Sequence, residues 1–162
     1  MRPMPEVHFT FNDEEVDVEV GSEELLLDTV RDRLDSTSAR YSCGIGVCGS
    51  CTMLLDGKAV SSCLQFTQMV SGRHVETPDA VVSGDSDFAQ QVLDSFVDSR
   101  AYQCSYCIPA MALTVVSLLR EDPNMALEQV LHHLGGNLCR CGSYPQIVEA
   151  VTRLVKEKED PT

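Results

Sequence analysis

The sequence predicts an α+β protein in two halves, a β-rich N-terminal part followed by a helical C-terminal part. Three observations predict it. Apolar and polar residues alternate in the first half, in the period-two rhythm of half-buried strands. After a polar, small-residue stretch from Thr77 to Asp87, the apolar spacing changes to that of helices. The eight cysteines divide evenly, four to each half.

The elements follow in order. Val7, Phe9 and Phe11, then Val16, Val18 and Val20, predict two strands around a polar turn at 12–15. Leu26 or Leu27, Val30 and Leu34 share one side of a short helix, with Ser22 as its cap and Glu23 and Glu24 in its first turn. A Gly- and Cys-rich loop runs from Cys43 to Cys51. Thr52–Leu55 and Lys58–Ser61 then flank Asp56-Gly57, a two-residue hairpin signal. Val75 belongs to a last strand. In the second half, Phe88, Val92, Phe96 and Val97 share a helical face. Pro109 opens a helix over Ala110–Arg120 that is apolar nearly all round and expected to be buried. Leu127, Val130, Leu131 and Leu134 make a third helix, stopped by Gly135-Gly136. Pro145 opens a fourth, with Ile147, Val148, Val151, Leu154 and Val155 inward and a charged tail after Lys156. We therefore divide the chain into 1–78, a linker at 79–86, and 87–162.

Composition narrows the function. With 43% hydrophobic residues the chain is not a disordered acidic tail, and no apolar run reaches the roughly 20 residues needed to span a bilayer. The N-terminal residues lack the charged and apolar regions of a secretory signal and carry no twin arginine, so a cytoplasmic location is the expectation. A net charge of −13 repels a nucleic-acid backbone and keeps the chain soluble. Eight cysteines in 162 residues admit four disulfides, but disulfide scaffolds suit short secreted chains without a core. Metal-ligating thiolates are the better expectation.

Cys43, Cys48, Cys51 and Cys63 follow C-x4-C-x2-C with a distant fourth cysteine, the known ligand pattern of plant-type 2Fe–2S clusters. Four thiolates must converge on a small anionic core, two per iron, so one loop has to wrap it. Gly44, Gly46 and Gly49 allow positive φ and bring backbone N–H groups toward the sulfurs. Structural zinc more often draws on paired C-x2-C knuckles. Cys104 and Cys107 form C-x2-C, while Cys139 and Cys141 form C-x-C. Each pair lies beside a helix end, where free N–H groups and the helix dipole favour anionic sulfur, and Arg140 lies between two ligands. By spacing alone this second set is also compatible with zinc.

The runs Gln103-Cys104-Ser105-Tyr106-Cys107-Ile108-Pro109 and Gly136-Asn137-Leu138-Cys139-Arg140-Cys141, with the Cys43–Cys51 loop, resemble the iron–sulfur subunit of molybdenum hydroxylases. That family comprises xanthine dehydrogenase, aldehyde oxidoreductase and aerobic carbon monoxide dehydrogenase. The resemblance runs from about Val7 to Val155. It implies a ferredoxin-like (β-grasp) N-terminal domain and a four-helix-bundle C-terminal domain, each with one 2Fe–2S cluster. It also implies a large molybdopterin-binding subunit near the helical-domain cluster and an FAD-binding medium subunit, or another electron acceptor, near the N-terminal one. By the same resemblance, Gln103 and Cys141 contact the pterin. Ser42 and Ser105 stand where the family usually has Gly, Ala110 follows Pro109 where Gly is common, and Cys141-Gly142-Ser143-Tyr144 replaces a frequent Cys-Thr-Gly-Tyr. All eight ligands are present, so these departures bear on potentials and pterin contact.

The expected function is electron transfer from a molybdopterin centre through two 2Fe–2S clusters to FAD or another acceptor, within a multi-subunit oxidoreductase whose substrate site lies on another chain. Two rivals remain: a free-standing two-cluster ferredoxin and a zinc-binding interaction module. His132 and His133 read as surface residues, His8 and His74 as strand-surface residues, and Met111 and Met125 as core. Tyr102, Tyr106 and Tyr144 read as shields for the second set. There is no P-loop or nucleophile elbow, and Gly44-x-Gly46-x-x-Gly49 matches a dinucleotide-binding pattern only formally, because cysteines interrupt it and no βαβ unit surrounds it.

Overall fold

The computed structural model describes residues 4–83 and 87–159. Strands β1 (Glu6–Phe11) and β2 (Glu14–Glu19) pair antiparallel. Their turn is tighter than the sequence suggested. Asn12 and Asp13 alone make it, at φ 49° and 71°, the left-handed pair whose twist matches two crossing strands. Helix α1 (Leu26–Asp32) follows, then β3 (Thr52–Leu55), β4 (Lys58–Ser61) and β5 (His74–Glu76). The sheet order is β2-β1-β5-β3-β4, with β1 and β5 parallel. Asp56 and Gly57 form the β3–β4 turn, again with both φ values positive.

Side-chain alternation on β3 explains how the two halves meet. Met53 and Leu55 join Phe9, Val20, Leu26, Leu27, Val30 and Val75 in the first core, under α1. Leu54 points the other way and belongs to the helical core. All four β3 residues are buried because the strand is covered on both faces. Helix α4 (Ile108–Glu121) is the covering element, with Ala110 to Leu119 all buried. A fully buried Leu or Met there contributes about 1.5–3 kcal/mol. Ser117 Oγ donates to Gly57 O at 2.7 Å and Arg120 reaches Glu76 at 3.2 Å, fastening α4 to the hairpin and to β5.

Helices α3 (Asp87–Asp98), α5 (Leu127–Leu134) and α6 (Tyr144–Glu159) complete the helical half around α4. The segment between the halves includes a short helix, α2 (Pro78–Ser83). Pro78 suits a first turn. The Asp79 carboxylate accepts from the hydroxyls of Ser38 and Thr77, tying this junction to the loop before the first cysteine.

Three local expectations change. Ser22 does not cap α1. The helix begins at Leu26 without a side-chain cap, because Glu24 turns back to Gly21 N–H (3.0 Å) and forward to Thr29 (2.8 Å) and Arg33 (2.6 Å). Val97 on α3 and Val148 on α6 are exposed rather than inward, at 55% and 40%. The inward places are taken by smaller residues, Ala89 and Ser95 on α3 and Ala150 on α6. The Ser95 hydroxyl bonds Ala150 O at 2.8 Å, a close helix–helix approach that a valine would block.

Candidate metal centres

All eight cysteines are unpaired in disulfides. In the first set Cys43 is half-buried and Cys48, Cys51 and Cys63 are buried. Gly44, Gly46 and Gly49 take φ 68°, 73° and 66°, a conformation that costs other residues about 1–2 kcal/mol each. The wrap this allows turns backbone donors inward. Val47 N–H and Cys48 N–H both point at Cys43 Sγ, at 3.4 Å. Burial opposes ionisation of Cys48, yet donors from Ser50 and Cys43 outweigh it and hold its thiol down at about 6. Burial and the neighbouring Cys51 push Cys63 up to about 11.

The second set sits where α4 begins and where the α5–α6 connection passes. Cys107 is the residue before the first turn of α4 and is buried; Cys104 is exposed. Burial and the nearby Cys139 push Cys107 up to about 12. Tyr106 N–H donates to Cys104 Sγ at 3.5 Å and lowers its thiol. Burial acts against Cys139, but N–H groups from Ser143, Cys141 and Gly142, together with the Cys107 thiol, draw it down. The donors come from the loop before α6, as a helix start provides.

Within each set the thiols interact as pairs: Cys43 with Cys48, Cys51 with Cys63, Cys104 with Cys141, and Cys107 with Cys139. Cys63 also feels Cys43, and Cys104 feels Cys139, so each foursome is one electrostatic unit. Two thiolates per iron around a two-iron sulfide core suit such pairs, and the inward N–H groups offset its negative charge. The residues fit such a core.

The two sets adjoin. Leu138 N–H donates to Cys48 O at 2.9 Å, one residue before Cys139. Asn137 Nδ2 donates to Gly49 O at 3.0 Å. Elsewhere along the same junction, Tyr106 donates its hydroxyl to Tyr41 O, and the Arg40 guanidinium lies 5.0 Å over the Tyr106 ring. The sequence reading missed this role of Tyr106. Tyr144 is likewise more than a shield, for its hydroxyl accepts from Cys139 N–H at 2.8 Å. Gln103 and Cys141 meet at the surface, with Gln103 Nε2 donating to Cys141 O at 3.2 Å. Ser105 has φ 61°, in the left-handed region that favours glycine. His132 and His133 are exposed, as is His8, which bonds Asp17. Arg140 is exposed.

Residues 79–152 match a 2Fe-2S binding domain family, and residues 7–94 match a 2Fe-2S iron-sulfur cluster binding domain family. The small FeS subunit of nicotinate dehydrogenase from Eubacterium barkeri is 31% identical over 151 residues, spanning 93% of this chain and 94% of that one. The small subunit of nicotine 6-hydroxylase from Paenarthrobacter nicotinovorans is 37% identical over 134 residues, with coverage of 83% and 79%. Among solved structures, a chain of quinoline 2-oxidoreductase from Pseudomonas putida 86 superposes with a TM-score of 0.84 at 32% identity, covering 96% of each chain. Aldehyde oxidoreductase from Desulfovibrio gigas superposes with a TM-score of 0.85 at 28% identity over 98% of this chain and 18% of that one.

Proposed function

Because the chain belongs to the 2Fe-2S binding families of the molybdenum hydroxylases, as one of their small iron–sulfur subunits, we propose a residue-level account of its electron-transfer function. Cys43, Cys48, Cys51 and Cys63 hold one 2Fe–2S cluster, and Cys104, Cys107, Cys139 and Cys141 hold the other. Each bound cluster supplies a one-electron redox site. The division at 79–86 then separates two cluster-binding domains, 1–78 and 87–162. The single observation that carries this reading is the Leu138 N–H to Cys48 O bond at 2.9 Å. It joins the two ligand loops through one hydrogen bond, with Cys48 on one side and Cys139 adjoining on the other.

The chain's own residues bind, orient and exclude water. The positive-φ glycines shape the first loop, the start of α4 places Cys107, and the apolar side chains of Ile45, Val47 and Leu64 stand exposed beside the first set. Tyr102, Leu138 and Tyr144 stand exposed around the second. Exposed apolar groups of this size suit burial against other chains. We assign the second face, with Gln103 and Cys141 as pterin contacts, to a large molybdopterin-binding subunit. The first face we assign to an FAD-binding medium subunit or another acceptor. Among the described residues no helix is long and apolar enough to cross a membrane. We place the assembly in the cytoplasm, a reducing compartment in which cysteine ligands are kept from oxidising to one another.

Purification of the native assembly tests the partner assignments. A larger chain carrying molybdenum, and flavin on a further chain, should accompany this one. A lone chain that keeps both clusters through purification would point instead to a free-standing ferredoxin.

A further inference from the structure

We propose that Asn137 is the positioning residue that fixes the spacing and electronic coupling of the two ligand loops, with Gly49 as the opening that admits it. This rests on the reading that both cysteine sets hold 2Fe–2S clusters. Asn137 is 5% exposed, a buried amide at the junction of three elements. Its Nδ2 donates to Gly49 O at 3.0 Å and lies 3.5 Å from Thr52 Oγ1 at the start of β3. Its Oδ1 lies 3.3 Å from Thr114 Oγ1 on α4. Its backbone N–H is taken by Leu134 O at 2.9 Å, which anchors the residue to the end of α5.

Asn137 and Leu138 thus grip the neighbouring residues Gly49 and Cys48, one by a side chain and one by the backbone. The side-chain bond aligns the backbone bond. Gly49 makes the fit possible: a Cβ there would run into Gly136 O and come within 2.6 Å of Asn137 Nδ2. No other buried side-chain amide bridges the two ligand loops among the described residues. Nothing in the local fold of either half requires an amide here. Gly49 O already accepts from the Thr52 hydroxyl at 2.7 Å, and the Thr114 hydroxyl already serves Ala110 O at 2.9 Å. A leucine at 137 would therefore leave neither partner orphaned, while deleting the bridge. What Asn137 adds is position.

The test is Asn137→Leu in the holoenzyme. Iron and sulfide content, and the EPR signals of the two reduced clusters at a temperature where their spins relax independently, report whether the clusters form. The magnetic splitting between the reduced clusters at low temperature, and the rate of electron equilibration between them after photoreduction, report Asn137. Both signals should remain, with the splitting diminished and equilibration slowed. Splitting and rate at wild-type values would overturn the proposal, even with a lowered Tm, because that combination marks a purely structural role. If Asn137→Leu fails to assemble, Thr114→Val decides by the same two readouts, a smaller change in the same direction supporting the proposal and wild-type values overturning it. Absence of iron and sulfide from the wild-type protein would instead sink the cluster reading.

Discussion

Gly46 and Gly57 make a matched pair for testing what shapes the first ligand loop. Both have positive φ, 73° and 79°, so alanine at either pays the left-handed cost of about 1–2 kcal/mol. Reduced entropy of the unfolded chain offsets about 0.4–1 kcal/mol of it. At Gly57, in the β3–β4 turn, a Cβ meets nothing within 4 Å, so Gly57→Ala should lose about 1 kcal/mol. For a chain of this size that lowers Tm by about 2–4 °C. At Gly46 the new Cβ meets the Leu64 side chain, which is 60% exposed and free to swing into solvent. The stability loss should therefore be similar. The difference lies in chemistry. Gly46 N–H is one of the donors that lower the Cys63 thiol, and a shifted backbone withdraws it. EPR-monitored redox titration of the holoprotein should find the first cluster's signal and potential altered in Gly46→Ala, the second cluster's unchanged, and both unchanged in Gly57→Ala. If Gly46→Ala leaves both clusters as Gly57→Ala does, backbone donation from this loop does not tune the site.

Glu24 is held down at about 2, first by the Arg33 guanidinium, against opposing burial, and further by Gly21 N–H and Thr29. A depressed folded value means that the folded chain binds fewer protons, so this stabilisation is full above the ordinary carboxylate value near 4.5 and is lost as pH falls from there toward about 2. Solvent around Arg33 screens the contribution to about 1 kcal/mol or less. Denaturant unfolding should find Glu24→Gln weaker by that amount at pH 7 and insensitive to this titration in acid; equal acid sensitivity of both proteins would refute the assignment. Cys107→Ser should abolish the second cluster and loosen the helical half while the first cluster's EPR signal survives, because metal binding is coupled to folding. Simultaneous loss of both signals would contradict two separate sites.

The sequence exposed what is local or periodic. The Asp56-Gly57 turn and the all-round apolar α4 depend on near neighbours, and each stands where expected; the spacing within each cysteine set is equally local. Periodicity identifies an apolar face but not the group that covers it. Val97 and Val148 therefore read as inward, although Ala150 and Ser95 occupy the close helix contact and leave the valines exposed. Ser22 looked like a cap because its residue type favours one, but Glu24 had stronger partners in Arg33 and Thr29. The junction was invisible for a different reason. Asn137 meets Gly49 across 88 positions of sequence, and Tyr106 meets Tyr41 across 65. No local pattern encodes such pairs, so the GNLCRC run disclosed its cysteines and kept its asparagine's role hidden.

Elemental and acid-labile sulfide analysis of the natively purified protein tests the central claim most directly. Two clusters of two irons predict about four irons and four sulfides per chain, with two distinct reduced-state EPR signals. Zinc in place of iron, or cysteines oxidised to one another with no sulfide, would contradict the account.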